Sequence, residues 1–118
     1  VDLIVATTGS SISIIPGDGD GNFLQDKTTT IKSSTGAKQI AIGDINGDGI
    51  KDALISNWSG EIIAIIGSKK KIETFRFEHT GLPNPWGIAL SDLNNDGNSD
   101  FIIASGEGKE ALVFISQK

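Results

Sequence analysis

The nine residues DINGDGIKD, at positions 44–52, decide how this chain is interpreted, and a second copy, DLNNDGNSD, occupies positions 92–100. Each copy has an oxygen-bearing side chain at its first, third, fifth and ninth residues and glycine at its sixth. Calcium takes six to eight oxygen ligands at about 2.3–2.6 Å, and a tightly wound loop directs alternate side chains towards one centre. Glycine at the sixth residue permits a positive φ, so that the seventh carbonyl is able to face the ion. The pattern predicts two calcium loops, and two Asx-rich turns without metal are the alternative.

The composition limits the class of protein. The chain has 118 residues, 37% of them hydrophobic, which suits one small domain with a core. Six of its 15 acidic residues lie in the two loops, so the net charge of −5 indicates ion binding and argues against binding to a nucleic-acid backbone. The absence of cysteine excludes disulfides and thiolate metal sites. No apolar run approaches the roughly 20 residues that span a bilayer, and no signal peptide precedes Val1, so a mature or excised segment is expected.

The two loops belong to a longer internal repeat. Asp52 and Asp100 each precede an apolar run, and Asp2 does the same, with spacings of 50 and 48 residues. Short β-rich runs alternate with turn signals, which predicts ten strands of about four to seven residues and no helix. Continuous apolar runs such as Leu3–Ala6 and Phe101–Ala104 predict strands covered on both faces, whereas the alternation in Lys69–Phe77 predicts an outer strand.

Four strands per repeat indicate a β-propeller blade. We therefore predict an all-β fold of four-stranded antiparallel blades, about two and a half in number, as an incomplete propeller. The segment 1–118 is treated as one unit with a partial blade at 1–38, a full blade at 39–85 and a partial blade at 86–118. Unpaired strands at both ends predict open edges, which either self-associate or pair with further blades of a longer parent protein.

The sequences IAIGDINGDGIKDALI at 40–55 and IALSD at 88–92, continuing through Ile103, resemble the FG-GAP/VCBS repeats of integrin α-chains and many bacterial surface proteins. The glycine-rich sequence PGDGDGNF at 16–23 resembles the turn before the outer strand in that family, although the later repeats lack it. The resemblance implies a secreted or cell-surface protein. It also implies two bound calcium ions. The implied ligands are Asp44, Asn46, Asp48, the Ile50 carbonyl and Asp52, and then Asp92, Asn94, Asp96, the Asn98 carbonyl and Asp100.

Two other kinds of metal site have partial support in the sequence. An EF-hand needs helical flanks and a carboxylate at the twelfth position, where this chain has Ile55 and Ile103 between β-branched strands. Asp18 and Asp20 also stand in an Asp-Gly-Asp-Gly sequence, but no suitable ninth ligand follows. A turn between strands is favoured there, and a third calcium site is the alternative.

The two tryptophans, Trp58 and Trp86, map to the end of the blades opposite the calcium loops, Trp58 in a turn and Trp86 in a link. Aromatic residues in polar loops suit sugar stacking or a protein interface, and packing of each ring against the next blade is the alternative. The only histidine, His79, is expected at the surface, and the lysines at 69–71 are expected in an exposed hairpin turn.

No combination of residues predicts catalysis. The aspartates are assigned to the loops, no Ser–His pairing is suggested by spacing, and the alternating glycines at 17–21 lack the following helix of a phosphate-binding loop. The sequence therefore predicts a non-enzymatic binding or adhesion module for a protein or carbohydrate. The alternatives are an accessory domain of a larger secreted polysaccharide-active enzyme and a scaffold fragment without a ligand.

Overall fold

The structure is a computed structural model that describes residues 2–34, 36–77 and 84–117. Within these residues the chain forms ten β-strands and one short 3-10 helix at Gln25–Lys27, and no α-helix. The expectation for His79 falls outside the described residues. The strands are β1 (Leu3–Ala6), β2 (Ser11–Ile15), β3 (Thr29–Lys32), β4 (Ala37–Gly43), β5 (Asp52–Asn57), β6 (Ile62–Gly67), β7 (Ile72–Phe77), β8 (Pro85–Ser91), β9 (Asp100–Ser105) and β10 (Ala111–Phe114).

The strands form three consecutive antiparallel sheets. The first sheet has the order β1-β2-β3, the second β4-β5-β6-β7 and the third β8-β9-β10. Within the described residues each strand therefore pairs only with strands adjacent to it in sequence, as expected for strands joined by short connections. The all-β class and the predicted number of strands are confirmed, and the strands β4 and β8 begin slightly earlier than the predicted repeat bounds.

The second sheet lies between the other two and buries both of its faces. Alternate residues of β5 and β6 point to opposite sides because the side-chain period of a strand is two. One face packs on the first sheet and the other on the third. The first core consists of Ile12, Ile14, Ala53, Ile55, Ile63 and Ile65. The second consists of Leu54, Ile62, Ala64, Ile88 and Ile103.

The prediction that both faces of every apolar strand are covered is wrong for β1 and β9. In β1, Leu3 and Val5 are exposed, and in β9 Ala104 is exposed. The described part of the chain supplies only one neighbouring sheet to each of the two outer sheets, so their outer faces remain in solvent. Buried and exposed side chains do not alternate regularly along β7, but the strand is largely exposed, which confirms that it is an outer strand.

The connections fall at two ends of the sheets. Residues 44–51 and 92–99 connect β4 to β5 and β8 to β9, and this end is called the loop end. The connections after β5 and β9, together with the starts of β4 and β8, lie at the opposite end. The lysines at 69–71 form the exposed turn that was predicted between β6 and β7. The described part of the chain contains no helix that is long and apolar enough to cross a membrane.

Candidate functional site: the paired acidic loops and the opposite end

The first acidic loop is organised by its own carboxylates. The Asp44 carboxylate accepts hydrogen bonds from the N–H groups of Gly47 (2.7 Å), Asp48 (3.1 Å) and Gly49 (2.8 Å). The Asn46 side chain points into the loop as the Asp44 side chain does, since its Oδ1 accepts a hydrogen bond from the same Asp48 N–H at 3.1 Å. Gly47 and Gly49 have φ values of 74° and 82°, which glycine adopts without a Cβ clash.

The second acidic loop repeats this arrangement 48 residues later. Asp92 accepts from the N–H groups of Asp96 (3.1 Å) and Gly97 (2.9 Å), and Asn94 accepts from Asp96 N–H at 3.1 Å. Asn95 takes the place of Gly47 and has a φ of 65°, which asparagine tolerates better than most residues. The two loops therefore share one backbone course and one set of side-chain directions.

The ninth residue of each loop closes the loop onto the sheet. The buried Asp52 accepts from Ile45 N–H at 2.8 Å and from Gly67 N–H, after β6, at 2.9 Å. Asp100 likewise accepts from Leu93 N–H at 2.7 Å and from Ser116 N–H at 2.8 Å. Burial would raise the pKa of Asp100, but these hydrogen bonds outweigh it and the pKa is lowered.

Asp2 occupies the same place in the first sheet. Its Oδ1 accepts from Gly17 N–H at 3.1 Å, just as Asp52 accepts from Gly67 and Asp100 from Ser116. The equivalence of the three aspartates, which the spacing predicted, is therefore also seen in their hydrogen bonds.

The chemistry of the donors is suited to calcium. Asp44 Oδ1 and Asn46 Oδ1 both lie 3.1 Å from the Asp48 nitrogen, and the Asn46 amide contacts Asp48 Oδ2 at 3.1 Å, so the first, third and fifth side chains converge. Each carboxylate oxygen has two lone pairs, and the hydrogen bonds leave some of them free. Among residues 2–34, 36–77 and 84–117, no three His, Cys, Asp or Glu side chains are gathered closely enough to hold a metal. The ten predicted ligands therefore remain a prediction, which the converging oxygens support.

The two loops touch one another. Ser99 N–H donates to the Asp44 carbonyl at 2.7 Å. Asn98 is buried, and its side-chain oxygen lies where a Cβ on Gly47 would be, only 1.9 Å from that position. Asn98 was predicted only as a carbonyl ligand, and its side chain proves to be the contact between the loops.

The glycine-rich segment after β2 is a closed turn. Asp18 accepts hydrogen bonds from Asp20 N–H at 2.8 Å and from Asn22 N–H at 3.1 Å, and from the Asn22 side chain at 2.7 Å. The side-chain hydrogen bond from Asn22 is the main reason that the pKa of Asp18 is lowered. Leu24 N–H donates to the Pro16 carbonyl at 2.8 Å and closes the turn, as the sequence favoured.

The two tryptophans meet at the end opposite the loops. Their ring centroids are 6.0 Å apart with the planes tilted by 55°, and the residues are 50% and 52% exposed. The Lys38 ammonium lies over Trp58 at 3.8 Å from the ring centroid and 5.1 Å from that of Trp86. Their predicted location at this end is confirmed, but Trp86 lies within β8 and not in a link as predicted. We call Lys38, Trp58 and Trp86 the tryptophan–lysine cluster.

Sequence reasoning missed Lys38 although the repeat contained a signal for it. Lys38 precedes Trp86 by 48 residues, and each stands at the β-bulge near the start of its strand, β4 or β8. Residues at equivalent positions in adjacent sheets are neighbours, so the alignment that paired the loops also brings Lys38 towards Trp86. The contact with Trp58 depends on how the second and third sheets pack, which a local pattern does not specify.

A partly buried ion pair joins the first and second sheets near the same end. The buried Glu61 carboxylate lies 2.8 Å from Arg76 Nη1 and accepts Ser34 N–H at 2.9 Å, while Arg76 also donates to the Lys32 carbonyl. Burial would raise the pKa of Glu61, but the Ser34 and Arg76 hydrogen bonds outweigh it, so the pKa lies below its ordinary 4.5.

The lowered pKa makes a prediction about pH. A carboxylate with a depressed folded pKa stabilises the protein above its unfolded pKa, near 4.5, and the contribution is lost as pH falls through the folded pKa. We expect Glu61→Gln to lower the free energy of unfolding by roughly 1–3 kcal/mol at neutral pH. The difference from the unmodified protein should shrink as the pH falls below about 4.5, measured by urea unfolding at a series of pH values.

The exposed Lys71–Glu73 pair provides the control. Solvent screens such a pair, so Glu73→Gln should change the free energy of unfolding by less than about 1 kcal/mol at every pH. An effect of Glu61→Gln that stayed constant from pH 7 to pH 3 would contradict the assigned ionisation.

A cleft of about 750 Å³ opens between the first and second sheets at the loop end. Its walls include Ile4 and Ile14 from the first sheet and Ile40 and Ile42 from the second. The cleft runs beside β1, which pairs only with β2 within the described residues. An open sheet edge and the exposed apolar side chain of Ile42 lie together there.

Comparison with known proteins gives a family match in the first part of the chain. Residues 1–55 match the family model of the FG-GAP-like repeat. The match includes the whole first acidic loop and ends at Ile55, and it confirms the resemblance found in the sequence. Searches of curated proteins and of solved structures found no match.

Proposed function

We infer, from the FG-GAP-like repeat that residues 1–55 form, that the whole chain is a calcium-stabilised β-propeller repeat module. Its three sheets are consecutive blades, and each acidic loop binds one Ca²⁺ at the loop end. The module is non-enzymatic and acts outside the cell in binding or adhesion, using the end opposite the calcium loops. The open edges of β1 and β10 are the surfaces through which it would associate with further blades or with a second copy.

The observation that carries this proposal is the duplicated geometry of the acidic loops. Two loops with different residues at four of nine positions keep the same Asx hydrogen bonds and the same two positive-φ positions. In each of them the oxygens of the first, third and fifth side chains point into the loop. Three carboxylates in so short a segment repel one another, and a divalent cation removes that repulsion.

Removal of calcium is the direct test. We expect 1 mM Ca²⁺ to raise the thermal midpoint relative to excess EGTA, because a ligand that binds only the folded state stabilises it. A calcium concentration about 100 times the Kd would add about 2.7 kcal/mol per site. Differential scanning calorimetry with and without calcium measures the shift, and isothermal titration should give two ions per chain.

Loop variants make the test specific. Asp48→Asn and Asp96→Asn each remove one carboxylate from one loop, so each should reduce the titrated stoichiometry to one ion. Asp20→Asn in the glycine-rich turn is the matched control and should leave two ions. A melting curve unchanged by EGTA would contradict the calcium proposal. A lower calcium stoichiometry for Asp20→Asn than for the unmodified protein would show that the glycine-rich turn also binds an ion.

A further inference from the structure

We propose that the tryptophan–lysine cluster binds a pyranose sugar that carries a carboxylate. The inference deepens the proposed binding function by giving the ligand class, and it rests on that proposal only for the module's role outside the cell. Three features of the cluster carry it: its exposed aromatic faces, its set of hydrogen-bond donors and the rigidity of its backbone.

The aromatic faces provide a surface for a sugar ring. Trp58 and Trp86 remain half exposed although each is anchored at its backbone, and their planes diverge by 55°. Aromatic rings bury apolar surface well, and the C–H face of a pyranose is apolar while its rim carries hydroxyl groups. The two tilted rings contact each other at 6.0 Å, so a sugar ring would lie across their exposed surface and not between them.

The polar groups of the cluster are all donors. The Lys38 ammonium has three N–H donors, and each indole has one. Among the described residues, none forms an ion pair with Lys38 and none accepts a hydrogen bond from either indole. Glu107 is outside the cluster, and its carboxylate accepts a hydrogen bond from the Asn84 side chain at 3.1 Å. The three cluster residues offer only hydrogen-bond donors and one positive charge, which suits a ligand that is rich in acceptors and negatively charged, and a uronic acid is both.

The backbone holds the rings in place before any ligand arrives. Trp58 N–H donates to the Gly36 carbonyl at 2.8 Å, and the Trp86 carbonyl accepts from Ser56 Oγ at 3.3 Å. A Cβ on Gly36 would lie 2.8 Å from Trp58 Cβ, and one on Gly106 would lie 2.7 Å from the Trp86 ring. The glycines therefore let the backbone pass close to both tryptophans. A preorganised site loses little side-chain entropy on binding.

The cluster is formed only between the second and third sheets. At the equivalent place between the first and second sheets the residues are Thr8 and Lys38, with no aromatic pair. If the tryptophans served only to pack neighbouring sheets, the first pair of sheets would need them as well. The first pair packs without them, which favours a ligand-binding role for the rings.

The test follows the two indole N–H signals by ¹⁵N NMR, because the chain has only two tryptophans. Methyl β-glucuronide is titrated against its neutral analogue methyl β-glucoside and against sodium acetate, all in 1 mM Ca²⁺. We expect both indole signals to shift with the glucuronide, with a Kd at least tenfold lower than for either control. Equal shifts with acetate would show a simple carboxylate effect, and no shift with the glucuronide would point to a protein ligand. Either result overturns the proposal.

Variants assign the roles within the cluster. Lys38→Gln should reduce the preference for glucuronide over glucoside to less than threefold, while the matched Lys69→Gln at the loop end should keep it. Trp58→Ala should weaken binding of both sugars at least tenfold, with the Trp86 signal as the remaining probe and circular dichroism confirming the fold. A preference that survives Lys38→Gln would overturn the assigned recognition of the carboxylate.

The same titration in EGTA separates this inference from the calcium proposal. Sugar binding that is absent in a protein stabilised by calcium overturns only the sugar site. Sugar binding that persists in a protein that calcium does not stabilise supports the site and overturns only the calcium proposal.

Discussion

Asp52→Ala should lower the free energy of unfolding by roughly 2–4 kcal/mol even in the presence of EGTA. The carboxylate accepts two main-chain N–H groups, from Ile45 at the start of the loop and from Gly67 after β6. Its removal leaves both donors without a partner in a partly buried region, and each such donor costs about 1–3 kcal/mol. The effect therefore arises from the fold itself and not from the loss of an ion. Urea unfolding in EGTA measures it.

Asp48→Ala is the matched control in the same loop. Asp48 is exposed and accepts from Ile50 N–H and from the Asn46 side chain, so solvent can replace what the substitution removes. In EGTA it should cost less than about 1 kcal/mol, whereas in calcium both variants should lose the ion of the first loop. Equal stabilities of the two variants in EGTA would contradict the structural role of Asp52.

The role of Asp52 in closing the loop onto the sheet was not predicted from the sequence. The sequence prediction assigned every carboxylate of the two acidic loops to the metal. The spacing identified Asp2, Asp52 and Asp100 as equivalent, but their partners Gly17, Gly67 and Ser116 donate main-chain N–H groups, which no side-chain pattern reveals. A carboxylate at the ninth position can both close the loop and bind an ion, because each oxygen accepts more than one partner.

The strands were predictable because hydrophobic runs and turn residues are local signals. All ten predicted strands exist, and the five-residue apolar run of β6 is largely buried. The strand β5 is buried throughout although its apolar run is only Ala53–Ile55, because sheets cover both of its faces. The exposure of Leu3 and Val5 was not predictable, since it depends on whether another sheet covers that face. The ion pair between Glu61 and Arg76 was likewise not predicted, because it depends on the pairing of β6 with β7.

The candidate site at the opposite end was only partly visible in the sequence. The location of both tryptophans followed from the alternation of connections along the chain. Their contact with each other and with Lys38 required the angle at which the second and third sheets pack. Lys38 and Trp86 occupy equivalent positions in successive repeats, and so do Trp58 and Gly106. A search for equivalent positions with chemically different residues would have identified both pairs.

Gly47→Ala should lower the free energy of unfolding by about 1–3 kcal/mol more than Gly49→Ala, both measured in EGTA. The two glycines have similar positive φ values, 74° and 82°, so the backbone strain of a new Cβ is nearly the same in both. They differ in their surroundings, because a Cβ at 49 meets nothing within 4 Å and one at 47 meets Asn98 Oδ1 at 1.9 Å. Gly49→Ala therefore reports strain alone, and the difference reports the contact between the loops.

A double-mutant cycle with Asn98→Gly gives this prediction its sharpest form. Shortening residue 98 removes the atoms that collide, so Gly47→Ala in the Asn98→Gly background should cost no more than Gly49→Ala does in the unmodified protein. The coupling free energy between positions 47 and 98 should then exceed about 1 kcal/mol, whereas positions 49 and 98 should show additive effects. Additivity at both pairs would mean that Gly47 and Asn98 do not contact one another in solution. A calcium titration of the same variants would then show whether an ion in one loop affects the other, since the Asn98 side chain and the Ser99 N–H are the groups that join them.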